Sequence, residues 1–130
     1  MTVQTIFLID DDQDDQFVFK DALRTVDAKI IIETAIDGID ALEKLSTSQK
    51  LPDLIFVDLN MPRMNGKKFL KEAKSRKQLK EIPVFIYSTS SSPEDRRETS
   101  ELGAHSFIVK PNNYDELCSI LSTVIEGTSE

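Results

Sequence analysis

The chain has 130 residues, of which 39% are hydrophobic and 30% charged, and its formal net charge at pH 7 is -7. This length and usage fit one compact domain, residues 1–130 with a core of about residues 4–126, and exclude disordered and collagen-like chains. The negative net charge argues against direct nucleic-acid binding, because such binding requires Lys and Arg to neutralise phosphates.

The amino terminus has no recognisable targeting segment. Residues 1–5 lack the basic and long apolar regions of a secretory signal, and no apolar run approaches the roughly 18 residues needed to cross a bilayer. Cys118 is the only cysteine, so no internal disulfide can form and a reducing environment is expected. We therefore expect a cytoplasmic protein that does not enter a membrane.

Five short apolar runs are predicted to form strands. They are rich in Val, Ile, Leu and Phe without polar alternation, as strands buried on both faces of a parallel sheet require. The runs are residues 5–9, 30–32, 54–57, 84–87 and 107–109.

Segments in which apolar residues recur at helical spacing lie between these runs. Three stripes recur at i, i+3, i+4, i+7, and a shorter, weaker one covers residues 39–45. The stripes are Phe19, Ala22, Leu23 and Val26, then Gly66, Phe69, Leu70 and Ala73, then Leu117, Ile120, Leu121 and Val124. A further helix should begin at Ser92 as N-cap with Pro93 in its first turn, and end near Gly103. The alternation predicts an α/β fold, a doubly wound, flavodoxin-like (βα)5 parallel sheet with strand order 2-1-3-4-5.

One segment of the chain is locally cationic. This segment runs from Arg63 to Lys80, and Glu72 is its only acidic residue. Two interpretations remain open, a solvated helix face and a docking surface for an acidic partner. The basic residues are Arg63, Lys67, Lys68, Lys71, Lys74, Arg76, Lys77 and Lys80.

Polar side chains follow four of the five predicted strands. Ligands of a doubly wound sheet bind at the carboxyl ends of its strands, so these side chains should meet at one edge. Since the first and third strands are expected to be neighbours, Asp58 should lie close to Asp10 and Asp11. The residues at the strand ends are Asp10, Asp11 and Asp12, Asp58 and Asn60, Ser88 and Thr89, and Lys110 and Pro111.

Three neighbouring carboxylates repel one another, so either their pKa values rise or a cation neutralises them. Carboxylate oxygens, together with the backbone carbonyl of Asn60, favour a hard ion such as Mg²⁺ (or Mn²⁺). With the metal and Lys110, the charges sum to about zero, so the pocket can accept a phosphoryl donor. Asp58 would then be the nucleophile that forms an acyl phosphate, while the metal, Lys110 and Ser88 contact the phosphoryl oxygens.

These residues resemble those of the response-regulator receiver family, the CheY-like domains, over essentially the whole chain. The resemblance rests on Asp10-Asp11 after the first strand, on residues 58–66, on Ser88 and on Lys110-Pro111. It implies that Asp58 is the phosphoacceptor and that Asp10, Asp11, Asp58 and the Asn60 carbonyl bind the metal. Lys110 would contact the phosphoryl group, and Ser88 and Phe107 would be the switch residues.

The resemblance also implies finer features. Asn60 and Ser90 match positions that set the phosphoryl lifetime, and a cis bond before Pro111 would aim Lys110. Because no effector domain follows, the chain is similar to stand-alone regulators. Asp14 after Gln13, with the run 88–90, is similar to regulators that serve phytochrome-type histidine kinases.

The resemblance further implies partners. The phosphoryl donor would be a histidine kinase or histidine phosphotransfer protein, and the target an unknown downstream protein. The regulator would be a monomer or a phosphorylation-linked homodimer, with phosphotransfer and autodephosphorylation as its only activities.

Two rival interpretations fit the acidic run less well. Asp10 and Asp12 have the D-x-D spacing of haloacid-dehalogenase-type phosphatases, but Asp14 stands where that motif usually continues to Thr or Val. Asp10, Asp12 and Asp14 also have EF-hand spacing, but the sixth position is Asp15 instead of Gly. His105 is interpreted as a surface residue.

Overall fold

A computed structural model describes residues 2–128, so Met1, Ser129 and Glu130 lie outside it. Five strands alternate with five helices in that part of the chain. The strands are β1 (Thr5–Ile9), β2 (Ile31–Ala35), β3 (Leu54–Val57), β4 (Val84–Ser88) and β5 (Ser106–Val109), and the helices are α1 (Gln13–Val26), α2 (Gly38–Thr47), α3 (Gly66–Ser75), α4 (Pro93–Glu101) and α5 (Tyr114–Thr128).

The five strands form one parallel sheet in the order β2-β1-β3-β4-β5, which confirms the predicted fold. Ile9 pairs with Val57, so β1 and β3 end side by side. Ser88 pairs with Val109, so β4 and β5 also end level with each other. The residue after each strand therefore emerges at the same edge of the sheet.

Two apolar layers cover the two faces of the sheet. One contains the buried stripe of α3, including Phe69 and Leu70, and residues of α2. The other is formed by α1 and α5 around Phe19, Phe56 and Tyr87. The rings of Phe19 and Phe56 are both fully buried and meet edge-on at 5.1 Å. Burying each such side chain contributes roughly 1.5–3 kcal/mol to folding.

The prediction that every strand is buried on both faces is wrong for β2. Ile31 is 59% exposed, although β1, β3 and β4 are buried throughout. The reason is position, because β2 lies at one edge of the sheet, where helices cover less of each face. β5, at the other edge, is also only partly buried.

Polar caps begin all five helices. Ser92 accepts from the backbone N–H of Asp95 and Pro93 occupies the first turn of α4, as the sequence predicts. Gly103, with a φ of 101°, follows the end of that helix. Within α4, all of which the structure describes, Thr99 is the only buried residue. Among residues 2–128, no helix is both long and apolar enough to cross a membrane.

Candidate functional site

Three carboxylates gather at the sheet edge where the strands end. Oxygens of Asp10, Asp11 and Asp58 all lie within 4.8 Å of one another. The register explains this proximity, because the Asp58 N–H donates to the carbonyl of Ile9 at 2.9 Å. Asp10 is fully buried, Asp58 is buried and Asp11 is exposed, so the cluster opens to solvent on one side.

Lys110 reaches into this cluster from the end of β5. Its Nζ donates to Oδ2 of Asp10 at 2.8 Å, of Asp15 at 2.7 Å and of Asp58 at 3.2 Å. Only 9% of the lysine side chain is exposed. Burial would lower the pKa of Lys110, but the hydrogen bonds and charges of its carboxylate partners outweigh burial and raise this pKa. Lys110 therefore carries a positive charge at neutral pH.

The site holds more negative than positive charge. Burial raises the pKa of the Asp10 carboxyl, and the hydrogen bonds from Lys110 and from the Asp12 backbone N–H offset that effect only in part. The nearby Asp58 charge raises it further. Four carboxylates, those of Asp10, Asp11, Asp15 and Asp58, lie around the single ammonium of Lys110, so the site favours a further cation.

The donor atoms fit a hard divalent cation. They are carboxylate oxygens, which Mg²⁺ and Mn²⁺ prefer. The carboxylates of Asp10, Asp11 and Asp58, whose oxygens lie within 4.8 Å of one another, would hold such an ion. Asn60 lies next to this cluster, because its backbone N–H donates to Asp58 Oδ1 at 3.3 Å.

The loop after Asp58 is held in place by tight packing and by one ion pair. A Cβ on Gly66 would lie 2.3 Å from the carbonyl oxygen of Asp58, so only glycine fits there. Arg63 has a φ of 60° and donates from Nε to Asp37 Oδ2 at 2.7 Å. Asp37 is buried at the start of α2, and the Arg63 hydrogen bonds hold the pKa of its carboxyl below the usual value. Asp37 and Arg63 are supporting residues that the sequence analysis missed.

Ser88 ends β4 as a fully buried residue, and its Oγ accepts from the Ser90 N–H at 3.3 Å. Ser90 in turn donates from Oγ to Asp95 Oδ2 at 2.6 Å. Lys67 of α3 pairs with the other oxygen of Asp95 at 2.6 Å and with Glu98 at 3.1 Å. A chain of polar contacts therefore connects the end of β4 to α4 and α3.

Phe107 is a half-buried residue of β5 whose ring packs against the apolar layer of α2 and α3. The guanidinium carbon of Arg96 lies 4.8 Å from the centre of that ring. This distance is within the range of a cation–π interaction. Its ring therefore links β5 to α4.

The expected cis bond between Lys110 and Pro111 is wrong, because every peptide bond in the described residues is trans. The trans isomer is favoured by about 0.5–1 kcal/mol before proline. The Lys110 ammonium contacts its three carboxylates with this trans bond in place.

Asp15 is a site residue that the sequence analysis did not identify. It lies in the first turn of α1 and not at a strand end, yet it accepts the shortest of the three Lys110 hydrogen bonds. The available signal was its position five residues after Asp10, which places it on the turn of helix nearest the strand ends.

Comparison with known proteins gives a consistent picture. A model of the response regulator receiver domain matches residues 6–122. Two-component response regulator ORR3 of Oryza sativa is 34% identical over 120 residues, which cover 92% of this chain and 89% of ORR3. The chain also matches the sensor histidine kinase CheAY of Helicobacter pylori at 27% identity, but spans only 15% of that protein's length.

Two solved structures share the fold closely. The phosphorylated cyanobacterial phytochrome response regulator RcpA has a TM-score of 0.88 and 32% identity, covering 96% of this chain and 93% of its own. The Mn²⁺-bound form of response regulator Rcp1 has a TM-score of 0.82 and 27% identity, covering 93% and 91%. By its sequence and its fold, the chain belongs to the response regulator receiver domain family of two-component signal transduction.

Proposed function

We propose that the protein is a phosphoryl-accepting switch in which Asp58 is the acceptor and Asp10, Asp11, Asp58 and the Asn60 carbonyl hold Mg²⁺. The observation that carries this proposal is the Lys110 ammonium, which lies against Asp58 within the carboxylate cluster. An ammonium in this position can neutralise an anionic group that is transferred to Asp58.

The transfer step follows from these positions. A carboxylate oxygen of Asp58 attacks the phosphorus of a phosphohistidine, so that a P–O bond forms as the P–N bond breaks. The electron pair of the broken bond stays on the departing imidazole nitrogen. Lys110 and the Ser88 hydroxyl bind two of the phosphoryl oxygens. When bound, Mg²⁺ supplies charge neutralisation at the phosphoryl oxygens.

Either Mg²⁺ or Mn²⁺ would suit this site, because both accept octahedral oxygen coordination. The Mn²⁺-bound form of Rcp1 supports a divalent ion in a related protein. We take Mg²⁺ as the resident ion, because a site of this kind, with few protein ligands, leaves the several waters that Mg²⁺ retains.

The phosphoryl group is lost again when water attacks the acyl phosphate, an intrinsic autodephosphorylation. Asn60 is exposed and Ser90 partly exposed, so both can border the path of that water. We assign lifetime tuning to these two residues. Ser90 donates its hydroxyl proton to Asp95, so its orientation depends on α4.

Phosphorylation would change a surface made by α4, β5 and α5. Ser88 would turn toward the phosphoryl group and release the Ser90 N–H, and Phe107 would swing inward from beneath Arg96. The change is a population shift, so its extent depends on how strongly the phosphoryl group favours one state. A downstream protein would read that surface, either on a monomer or on a phosphorylation-linked homodimer.

The donor would be a histidine kinase or a histidine phosphotransfer protein. A phytochrome-type kinase is the first candidate, because RcpA is a phytochrome response regulator and resembles this chain over 96% of its length. The transfer would take place in the cytoplasm, where an unpaired thiol such as Cys118 stays reduced.

The decisive test is phosphoryl labelling with acetyl phosphate or a phosphorylated kinase in Mg²⁺ and in chelator. We expect Mg²⁺-dependent labelling that Asp58→Asn abolishes. Asp14→Asn is the matched control, because it removes one exposed acid near the site without touching the cluster. Undiminished labelling of the Asp58→Asn variant would overturn the proposal.

A further inference from the structure

The three N–H donors of Lys110 are all engaged by carboxylates. An ammonium has three donors, and Asp10, Asp15 and Asp58 each accept one. When Asp58 becomes an acyl phosphate, a phosphoryl oxygen replaces its carboxylate as the partner of Lys110, and the ammonium has to shift toward that oxygen. This shift lengthens or breaks either the hydrogen bond to Asp10 or the one to Asp15.

Exposure decides which hydrogen bond breaks. The Asp10 side chain is fully buried, whereas that of Asp15 is 40% exposed. A buried carboxylate that loses its partner retains the full desolvation penalty, but water can replace the lysine at Asp15. The hydrogen bond to Asp15 is therefore the least costly one to lose, although it is the shortest.

The first turn of α1 holds Asp15 in position. The Asp12 carboxylate accepts from the backbone N–H groups of Asp14 at 2.9 Å and Asp15 at 3.2 Å. Gln16 donates from its side chain to the carbonyl of Asp10 at 2.6 Å, which fastens the same turn to the end of β1. The Asp15 carboxylate is thus presented to Lys110 by a fixed turn of backbone.

A small cleft gives the lysine room on the Asp15 side. It has a volume of about 140 Å³ and is bordered by Asp15, Tyr87, Lys110, Pro111 and Asn113. The Lys110 Nζ lies 5.3 Å from the centre of the Tyr87 ring, within the distance of a cation–π interaction. The Tyr87 ring thus adds a favourable contact to the Lys110 ammonium.

We propose that Asp15 is a positioning residue that restrains Lys110, so that its carboxylate competes with a phosphoryl group on Asp58 for the ammonium and favours the unphosphorylated state. The inference rests on the proposed function, since Lys110 must bind the phosphoryl group for this competition to exist. Asp15 acts through the lysine and does not itself contact the transferred group.

The competition can be measured with beryllofluoride, a phosphoryl mimic that binds a carboxylate without covalent transfer from a donor. Its dissociation constant is determined by ¹⁹F NMR at saturating Mg²⁺ for the wild type and for Asp15→Asn. Loss of one competing charged hydrogen bond at a partly exposed site should make the variant bind about five-fold more tightly. Asp15→Glu, which keeps a carboxylate within reach of Lys110, should bind close to the wild-type value.

Asp14→Asn is the matched control, because it removes the same charge from the same helical turn without removing a bond to Lys110. We expect its beryllofluoride affinity to stay within about two-fold of the wild type, because exposed charges are well screened. The affinity of each variant for Mg²⁺ alone is measured in parallel. A general loosening of the site would weaken both ligands, whereas the proposal expects Asp15→Asn to bind the mimic more tightly and Mg²⁺ no more tightly.

Each outcome bears on a different claim. If the wild type binds beryllofluoride, Asp58→Asn does not, and Asp15→Asn binds it no more tightly, then the role of Asp15 is refuted and the acceptor role of Asp58 stands. Equal tightening in Asp14→Asn and Asp15→Asn would also refute it, because charge alone would explain the effect. If the wild type fails to bind the mimic, the proposed function itself is refuted.

Discussion

Replacing Lys110 with Met tests how much the lysine contributes to the fold in the absence of metal. Its Nζ binds three carboxylates, of which the Asp10 side chain is fully buried, that of Asp58 is 11% exposed and that of Asp15 is 40% exposed. Removing one partner of a buried ion pair typically costs 3–5 kcal/mol. Because Asp15 can be solvated and Asp10 can take up a proton, we expect the lower end, a loss of about 3 kcal/mol.

The pKa of Asp10 determines whether the free energy of unfolding rises or falls with pH. Burial raises the pKa of this carboxyl, so the folded protein binds the proton more tightly than the unfolded chain does. The stability from such a group is fully present below the unfolded pKa, about 3.9, and is lost as the pH rises through the folded pKa. Removing Lys110 raises the Asp10 pKa further, so the deficit of the Lys110→Met variant should be larger at pH 7 than at pH 5.

The assay is urea unfolding followed by far-UV circular dichroism in chelator, at both pH values. Lys71→Met is the control, because Lys71 is exposed on α3 and away from the strand ends. A Lys110→Met variant that loses less than about 1 kcal/mol relative to this control would refute the reasoning, since the lysine would then not compensate a buried charge.

Three further predictions concern the site and its surroundings. Millimolar Mg²⁺ should raise the melting temperature of the unphosphorylated protein above its value in chelator, since ligands of the native state stabilise it; identical values would count against the metal site. Gly66→Ala should lower Mg²⁺ affinity in a calorimetric titration, because its Cβ would displace the Asp58 carbonyl, 2.3 Å away; unchanged affinity would contradict this. Ser90→Ala, which frees Asp95 from its 2.6 Å hydrogen bond, should alter the rate at which phosphate is lost from labelled protein; the same decay as in the wild type would argue against a tuning role.

The fold and the strand-end cluster could be predicted because both depend on local pattern and on topology. Continuous apolar runs separated by helical stripes specify a parallel sheet, and parallel strands bring their carboxyl ends to one edge. Asp10 and Asp58 lie close together because β1 and β3 are also neighbours in the sheet.

Other features depend on contacts between residues that are far apart in the sequence, which local sequence patterns do not predict. The exposure of Ile31 follows from the edge position of β2, which its apolar run does not reveal. Arg63 is one of many basic residues in its segment, and its partner Asp37 lies 26 positions away. The contact between Asp15 and Lys110 depends on how α1 starts above the sheet, across 95 positions of sequence.

The basic residues between Arg63 and Lys80 fall into two groups, those that bind other residues of the chain and those that are exposed. Arg63 pairs with Asp37, Lys67 with Asp95 and Glu98, and Lys74 caps the carbonyls of Lys80 and Ile82. These three cations serve the fold instead of an acidic partner. The docking interpretation therefore rests on the exposed lysines of α3, such as Lys68 and Lys71, and stays a prediction.

Helix α4 is held to its surroundings mainly by charged side chains, since Thr99 is its only buried residue. Asp95 pairs with Lys67 of α3, and Arg96 lies over the Phe107 ring of β5. Interactions of this kind weaken as ionic strength rises, whereas the apolar layers of the sheet do not. Added salt should therefore loosen this one helix selectively, and its amide protons should exchange with solvent faster than those of α3. The mobility of α4 is in this way separable from the stability of the sheet that carries Asp58.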